Sequence, residues 1–285
     1  LDGKGNSHCD FSSGRVFDIK SNQEECNFGN KDNFKDSIKE NKQSFYFVGS
    51  SHSGALSGLI GQVSKQINTN LYSLSVGGTF FPALGSNYFP NGIYRRNVLR
   101  DNFQQENIES FLKKNILPGD VIVITNHLEL FGTPSSLIKA DHEKIVLNYF
   151  KNLNKFTIDM NEIGVNVILF GPMPYFVELG KGRNTKLCSK EWFRPNPSNC
   201  LYSTKRKTLI SSNMFLNRYS REWSKINKNG YLFEPFNYLC KPNNDLCFNE
   251  INDLIYLYDV DHLNTYGGNI LSIPFMSFIE TEKLI

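Results

Sequence analysis

The chain has 285 residues, of which 40% are hydrophobic and 13% aromatic, so it can bury a full core as one large domain. Its formal charge is only +3, and lysines alternate with acids instead of forming a block, which argues against nucleic acid as the main partner. No run of about 18 apolar residues occurs, so nothing in the sequence predicts a membrane-spanning helix. The polar first residues do not predict a signal peptide, and we expect any targeting or membrane segment to lie outside this sequence.

Residues 1–41 predict an irregular arm, and strands and helices alternate after it. We predict one domain over 42–285, because no internal repeat or low-complexity linker divides it. The predicted strands are 44–49, 71–76, 120–125, 165–171 and the short segment YLFEP at 231–235. The predicted helices are 53–67, 104–114, 141–163, 208–227 and one that begins near Asn264.

Six cysteines fall into three local pairs, separated by 17, 12 and 7 positions. Each pair lies in polar sequence typical of loops, where a disulfide would restrain the chain. Free thiols and a metal site are the alternatives, but these spacings differ from the close Cys-x-x-Cys pairs of structural zinc sites. We predict three disulfides, one carried by the arm, and hence an oxidising compartment. The pairs are Cys9 with Cys26, Cys188 with Cys200, and Cys240 with Cys247.

The predicted strands are continuously apolar, which is typical of a parallel sheet covered by helices on both faces. Right-handed crossovers place the carboxyl ends of such strands along one edge of the sheet. Ser51, Gly78, Asn126 and Pro172 all follow predicted strands closely. The sequence therefore predicts an α/β fold with one crevice at this edge.

Ser51 and His262 are the best candidates for a nucleophile and its base. Ser51 follows the strand 44–49 in a tight turn, and a serine hydroxyl needs a base to take its proton. His262 can act as that base, and Asp259, three residues earlier, can hold its imidazole tautomer. Ser-rich turns also cap helices, and Asp-x-x-His can be a helix cap followed by a surface histidine. Together the motifs favour serine-dependent acyl chemistry.

These motifs occur in a recognisable order. The blocks are Gly49-Ser50-Ser51-His52, Gly78, Asn126 and Asp259-Val260-Asp261-His262-Leu263, accompanied by GGTFFPAL and FGPMPYF. Over residues 45–268 the chain resembles the SGNH (GDSL-like) hydrolases, and most closely the SGNH domains fused to or partnered with family 3 membrane acyltransferases. The resemblance implies a single three-layer α/β/α domain with a mostly parallel, about five-stranded flavodoxin-like sheet and disulfide-bearing loop insertions.

The resemblance also implies roles for these residues. Ser51 would be the nucleophile, His262 the general base and then acid, and Asp259 its orienting partner. The oxyanion hole would be formed by the backbone N–H groups of Ser51 and Gly78 and the side-chain amide of Asn126.

Substrate contacts are predicted from aromatic and basic side chains near these blocks. Phe80, Tyr88 and Arg95 lie in a loop whose aromatic faces and cations suit sugar rings, although such a loop can also pack on the core as a lid. His127 follows a predicted strand and is a candidate substrate contact, although a histidine there is more often a surface residue or a hydrogen-bonder. His52 follows the nucleophile too closely to serve easily as its base; we expect it to shape the turn or the pocket, with substrate contact as the weaker prediction.

Three functions from different classes remain open. The first is O-acyl transfer, with acetyl as the expected group, to a carbohydrate polymer or glycolipid through acyl-Ser51, with the acyl group supplied by a membrane acyltransferase in the same chain or operon. The second is a carbohydrate O-acetyl esterase. The third is a catalytically silent glycan-binding domain, favoured by Ser50 where the family usually has aspartate. The resemblance implies an extracytoplasmic or periplasmic domain tethered to the inner membrane; no cofactor or metal is expected.

Overall fold

The structure is a computed structural model of the 285-residue chain. It describes residues 9–10, 43–67, 69–76, 80–83, 98–126, 128, 139–176, 201–258 and 261–285. All structural statements below concern these residues.

A parallel sheet forms the centre of the described fold. Its strands are β1 (Cys9–Asp10), β2 (Ser44–Gly49), β3 (Asn70–Ser75), β4 (Val121–Thr125), β5 (Asn166–Phe170) and, later in the chain, β7 (Gly230–Phe233). The order across the sheet is β1-β3-β2-β4-β5-β7, and every pairing is parallel. The five longer strands have the flavodoxin-like order. This confirms the predicted fold class. Residues 9–10, within the predicted irregular arm, pair with β3 as a short edge strand, and the rest of the arm lies outside the described residues.

Eight helices are described. They are α1 (Ser51–Ala55), α2 (Ser57–Gln66), α3 (Val98–Asn115), α4 (Lys139–Glu162), α5 (Arg206–Ser212), α6 (Met214–Ile226), α7 (Phe236–Leu239) and α8 (Thr265–Thr281). Two predictions of a single helix were wrong, because the helices break at Leu56 and Asn213. The first of them also begins earlier than predicted, since Ser50 caps α1 so that it starts at Ser51.

Both faces of the sheet are buried, because successive side chains of a strand point to opposite sides. In β2, Tyr46 and Val48 pack with the cluster that includes residues of α3, α4 and α6. Phe45 and Phe47 pack with the opposite cluster, which includes residues of α2 and α8. The two clusters explain why the strands are apolar throughout and confirm the three-layer arrangement.

Two small antiparallel ribbons lie outside the main sheet. β6 (Ser203–Lys205) pairs with β8 (Leu246–Phe248), and β9 (Glu250–Ile251) pairs with β10 (Leu254–Ile255). The disulfide Cys240–Cys247 closes the loop before β8, as predicted, with Cα atoms 5.0 Å apart. The other predicted pairs, Cys9 with Cys26 and Cys188 with Cys200, involve side chains outside the described residues. None of the described helices combines the length and apolarity needed to cross a membrane.

Candidate active site

The turn that carries Ser51 is built on a glycine at the end of β2. Gly49 has φ +152°, and a Cβ there would lie 2.2 Å from the carbonyl oxygen of Thr125. Only glycine allows the two strand ends to approach this closely. The Ser53 N–H then donates to the Ser50 carbonyl oxygen at 3.0 Å, and the Ser53 hydroxyl donates to the Phe47 carbonyl at 2.9 Å. These bonds fix Ser51 as the first residue of α1.

His262 lies on a tight loop between β10 and α8. Its carbonyl oxygen accepts from the Tyr258 N–H at 2.7 Å, and Leu257 and Leu263 form an antiparallel bridge across the loop. Asn264 then caps α8 by accepting from the Gly267 N–H at 2.9 Å. The start of α8 therefore sets the position of His262.

Glycines bring α8 against α2, the helix that follows the nucleophile turn. A Cβ at Gly58 would lie 2.4 Å from the Thr265 carbonyl oxygen, and one at Gly268 would lie 2.7 Å from the Leu59 nitrogen. The helices can pack this closely because neither position carries a side chain. This packing joins the two ends of the sequence that supply the site.

The predicted nucleophile and base are in direct contact. Ser51 Oγ lies 2.6 Å from His262 Nε2, a short hydrogen bond between residues 211 positions apart. The His262 side chain is 27% exposed, so this pair lies where a substrate can reach it. The geometry allows His262 to take the Ser51 proton as the hydroxyl attacks.

A carboxylate faces the other ring nitrogen of His262. Asp261 Oδ1 lies 3.1 Å from Nδ1, and the Asp261 side chain is only 6% exposed. An acid in this position holds the imidazole tautomer and stabilises the imidazolium. Asp259, to which the sequence analysis gave this role, lies outside the described residues, so its assignment stays a prediction. The sequence analysis missed Asp261, although its signal was present as a second acid directly before the histidine.

His52 is buried beside this pair. It is 2% exposed, and its ring stacks on that of His262 with centroids 4.7 Å apart. Its Nε2 lies 3.8 Å from Asp261 Oδ2. Such burial leaves little of its surface for a sugar, which argues against the predicted substrate contact.

Asn126 is positioned differently from the prediction. Its Nδ2 donates to the Phe81 carbonyl at 2.6 Å and to the Tyr149 hydroxyl at 2.8 Å, while its Oδ1 accepts from the Phe81 N–H at 3.0 Å. Both amide hydrogens are therefore used, one on the Phe81 carbonyl and the other on the Tyr149 hydroxyl. The assignment to the oxyanion hole remains a prediction that this geometry does not support.

The other predicted contacts divide in two. Phe80 is buried, 7% exposed, with its ring edge-on to that of Tyr149 at a centroid distance of 6.2 Å. It therefore packs on the core, which was the alternative to substrate contact for this loop. The remaining predicted residues, Gly78, Tyr88, Arg95 and His127, lie outside the described residues.

One group of metal-ligand side chains occurs in the described part of the chain. Ligand atoms of His52, Asp261 and His262 lie within 4.8 Å of one another. Because His262 bonds the Ser51 hydroxyl and Asp261 faces His262 Nδ1, we assign these two residues to acid and base chemistry.

Comparisons with known proteins place the chain in a family. A search of solved structures finds a Slackia heliotrinireducens protein assigned to the SGNH hydrolases (10% identity, TM-score 0.46, covering 83% of this chain and 98% of that one). It also finds the Geobacillus stearothermophilus acetylxylan esterase Axe2, with 13% identity and a TM-score of 0.44, covering 83% of this chain and 94% of that one. A GDSL-like lipase of Bacteroides thetaiotaomicron has 13% identity and a TM-score of 0.43, covering 88% of this chain and 98% of that one. No curated protein matches the sequence. Residues 8–276 match the family described as "SGNH domain (fused to AT3 domains)", and the chain therefore belongs to that family.

Proposed function

We propose that this domain transfers an O-acyl group, with acetyl as the expected group, to a cell-surface carbohydrate through an acyl-Ser51 intermediate. The observation that carries the proposal is the 2.6 Å contact between Ser51 Oγ and His262 Nε2. A serine in hydrogen-bond contact with a histidine, whose other nitrogen faces a carboxylate, is the arrangement that activates an alcohol as a nucleophile.

Acylation of the enzyme is the first half of the reaction. Ser51 Oγ bonds to the acyl carbonyl carbon of the donor while His262 Nε2 takes the hydroxyl proton. The carbonyl electron pair moves onto oxygen and forms the tetrahedral oxyanion. When this intermediate collapses, the donor oxygen leaves with the proton from His262, and the acyl group remains on Ser51. The Asp261 carboxylate stabilises the transient imidazolium.

Transfer is the second half. A carbohydrate hydroxyl loses its proton to His262 and attacks the acyl carbon, after which Ser51 Oγ leaves and regains the proton. Water in the acceptor's place would give hydrolysis by the same residues. The outcome depends on whether the acceptor excludes water from the acyl-enzyme.

The family supports transfer with a membrane partner, because its SGNH domains are fused to AT3 domains. An acyl group brought across a membrane by such a partner needs an acceptor enzyme on the far side. We therefore propose an extracytoplasmic location, attachment to an acyltransferase domain, and a polysaccharide or glycolipid acceptor. The disulfide Cys240–Cys247 is consistent with that oxidising location.

The proposal can be tested with purified domain and p-nitrophenyl acetate. We expect Ser51-dependent p-nitrophenol release that Ser51→Ala abolishes. Ser64→Ala is the matched control, because that hydroxyl bonds only within its own helix among the described contacts, to Gly61 at 3.0 Å. We expect this control to retain the wild-type rate.

The acceptor is tested by adding defined manno-, chito- and xylo-oligosaccharides and measuring acetylated sugar by mass spectrometry. Acetylated sugar supports transfer, and free acetate alone shows that the domain is an esterase. No Ser51-dependent turnover with any of these probes would contradict catalysis and indicate a glycan-binding module.

A further inference from the structure

His52 makes three contacts that link it to the groups proposed to act on the substrate. Its Nε2 lies 3.8 Å from Asp261 Oδ2, its Nδ1 lies 3.4 Å from Ser50 Oγ, and its ring stacks on His262 at 4.7 Å with an interplanar angle of 30°. Both His52 and Ser50 are 2% exposed. The sequence gives His52 no part in a serine, histidine and aspartate set, because it follows the nucleophile too closely to serve as its base.

We propose that His52 is a positioning residue, which fixes the Asp261 carboxylate and through it the orientation of the His262 imidazole. The proposal rests on the function proposed above. His52 acts without touching the substrate, as its burial requires.

The two oxygens of Asp261 face different histidines. Oδ1 faces His262 Nδ1 at 3.1 Å, and Oδ2 faces His52 Nε2 at 3.8 Å. A carboxylate attracted at both oxygens is restrained from rotating about its side-chain bond, so the oxygen that faces Nδ1 stays in place. The longer distance exceeds a hydrogen bond. Catalytic contacts of this kind are often long in a free enzyme and tighten in the transition state.

Ser50 selects the tautomer of His52 that this role needs. Ser50 Oγ accepts from the His52 backbone N–H at 3.4 Å and lies 3.4 Å from His52 Nδ1, where a hydroxyl can act as donor. When Nδ1 accepts, the ring proton of neutral His52 is on Nε2, the nitrogen that faces Asp261.

The experiment is a double-mutant cycle with the purified domain and p-nitrophenyl acetate. His52→Phe keeps a ring to stack on His262 but removes both nitrogens, whereas His52→Gln keeps an N–H donor near the position of Nε2. We expect His52→Phe to lower kcat about tenfold with KM unchanged, and His52→Gln to remain within about threefold of wild type. In an Asp261→Asn background, we expect His52→Phe to change kcat by less than about twofold, since residues that act through each other are not additive.

Three results would overturn the proposal. They are a rise in KM in place of a fall in kcat, which indicates substrate contact; an equal loss in both backgrounds, which indicates independent action; and an unchanged kcat. Melting temperatures of all variants distinguish a misfolded domain from a folded one in which only the Asp261 carboxylate and the His262 imidazole are misplaced.

The chemical shift of the His262 Nδ1 nucleus, followed by NMR, gives a readout that needs no turnover. We expect it to change in His52→Phe and to be restored in His52→Gln. If wild-type domain is inactive, the proposed function fails, while this shift still decides whether His52 positions His262; identical spectra of wild type and His52→Phe would reject it.

Discussion

Ser51 Oγ and His262 Nε2 lie 2.6 Å apart although 211 positions separate them in sequence. Ser51 begins α1 directly after β2, and His262 lies in the loop before α8. Each segment is hydrogen-bonded to its own element, so the relative position of the two side chains is set by the fold and not by the local segments alone.

Replacement of His262 tests the role of the base. We expect His262→Gln to lower kcat for p-nitrophenyl acetate by at least about 10³-fold, because an amide cannot accept the Ser51 proton at neutral pH. Steady-state kinetics together with circular dichroism measure this effect. Activity within about tenfold of wild type in a folded variant would mean that another base serves Ser51.

Two aspartates compete for the role of orienting acid. Asp261 faces His262 Nδ1 at 3.1 Å, and Asp259 is the residue that the family resemblance implies. We expect Asp261→Asn to lower kcat at least about tenfold with little change in KM. For comparison, replacing the aspartate of a serine triad by asparagine lowers kcat by about 10⁴. Asp259→Asn, measured in parallel, shows which carboxylate contributes more. An Asp261→Asn enzyme with wild-type kcat would remove Asp261 from the site.

Two glycines of α2 form a matched pair for testing the packing that positions His262. We expect Gly58→Ala to lower the free energy of unfolding by about 1–3 kcal/mol and to lower kcat, since its Cβ would meet the Thr265 carbonyl at 2.4 Å. Gly61→Ala meets nothing within 4 Å, and we expect it to raise stability by about 0.5–1 kcal/mol. Urea denaturation and ester turnover measure both effects. Equal behaviour of the two variants would contradict the role of α2 and α8 packing.

Asn126 has two assignments that one variant separates. Its amide bonds both backbone groups of Phe81 and the Tyr149 hydroxyl, so Asn126→Ala would leave several buried polar groups unpaired. We expect the free energy of unfolding to fall by about 2–4 kcal/mol. A loss of about 10²-fold or more in kcat with unchanged stability would instead support the predicted oxyanion role.

Asp120 gives the domain a pH-dependent stability. Burial raises its pKa above the ordinary 3.8, although it accepts backbone N–H bonds from Ser44 and Leu117. The folded state therefore binds this proton more tightly than the unfolded state, so the contribution of Asp120 is greatest below about pH 4 and falls as pH rises through the folded pKa. We expect Asp120→Asn to make the free energy of unfolding less dependent on pH across this window. Urea denaturation at several pH values measures the slope, and an unchanged slope would contradict the assignment.

Much of the fold follows from local sequence. Apolar runs such as 44–49 and 121–125 are buried on both faces, so their position in a parallel sheet can be predicted from composition alone. The strand ends then place Ser51 at the sheet edge. His262, near the end of the chain, is the histidine that the sequence analysis could assign as its general base. The sequence analysis missed the helix breaks at Leu56 and Asn213. Gly54, Ser57 and Gly58 flank the first break, and Ser211 and Ser212 precede the second, all residue types that weaken a helix interior.

The sequence by itself determined the strands and pointed to the candidate nucleophile and base, because burial and strand-end turns have local signatures. Only the tertiary structure decided which groups surround them. The conformation of the loop turns Asp261 toward His262 Nδ1, and the fold brings His52 against His262 and Asn126 against Phe81 from distant parts of the chain. Hydrogen bonds and ring stacking are short-ranged and directional, so no pattern along the chain specifies them.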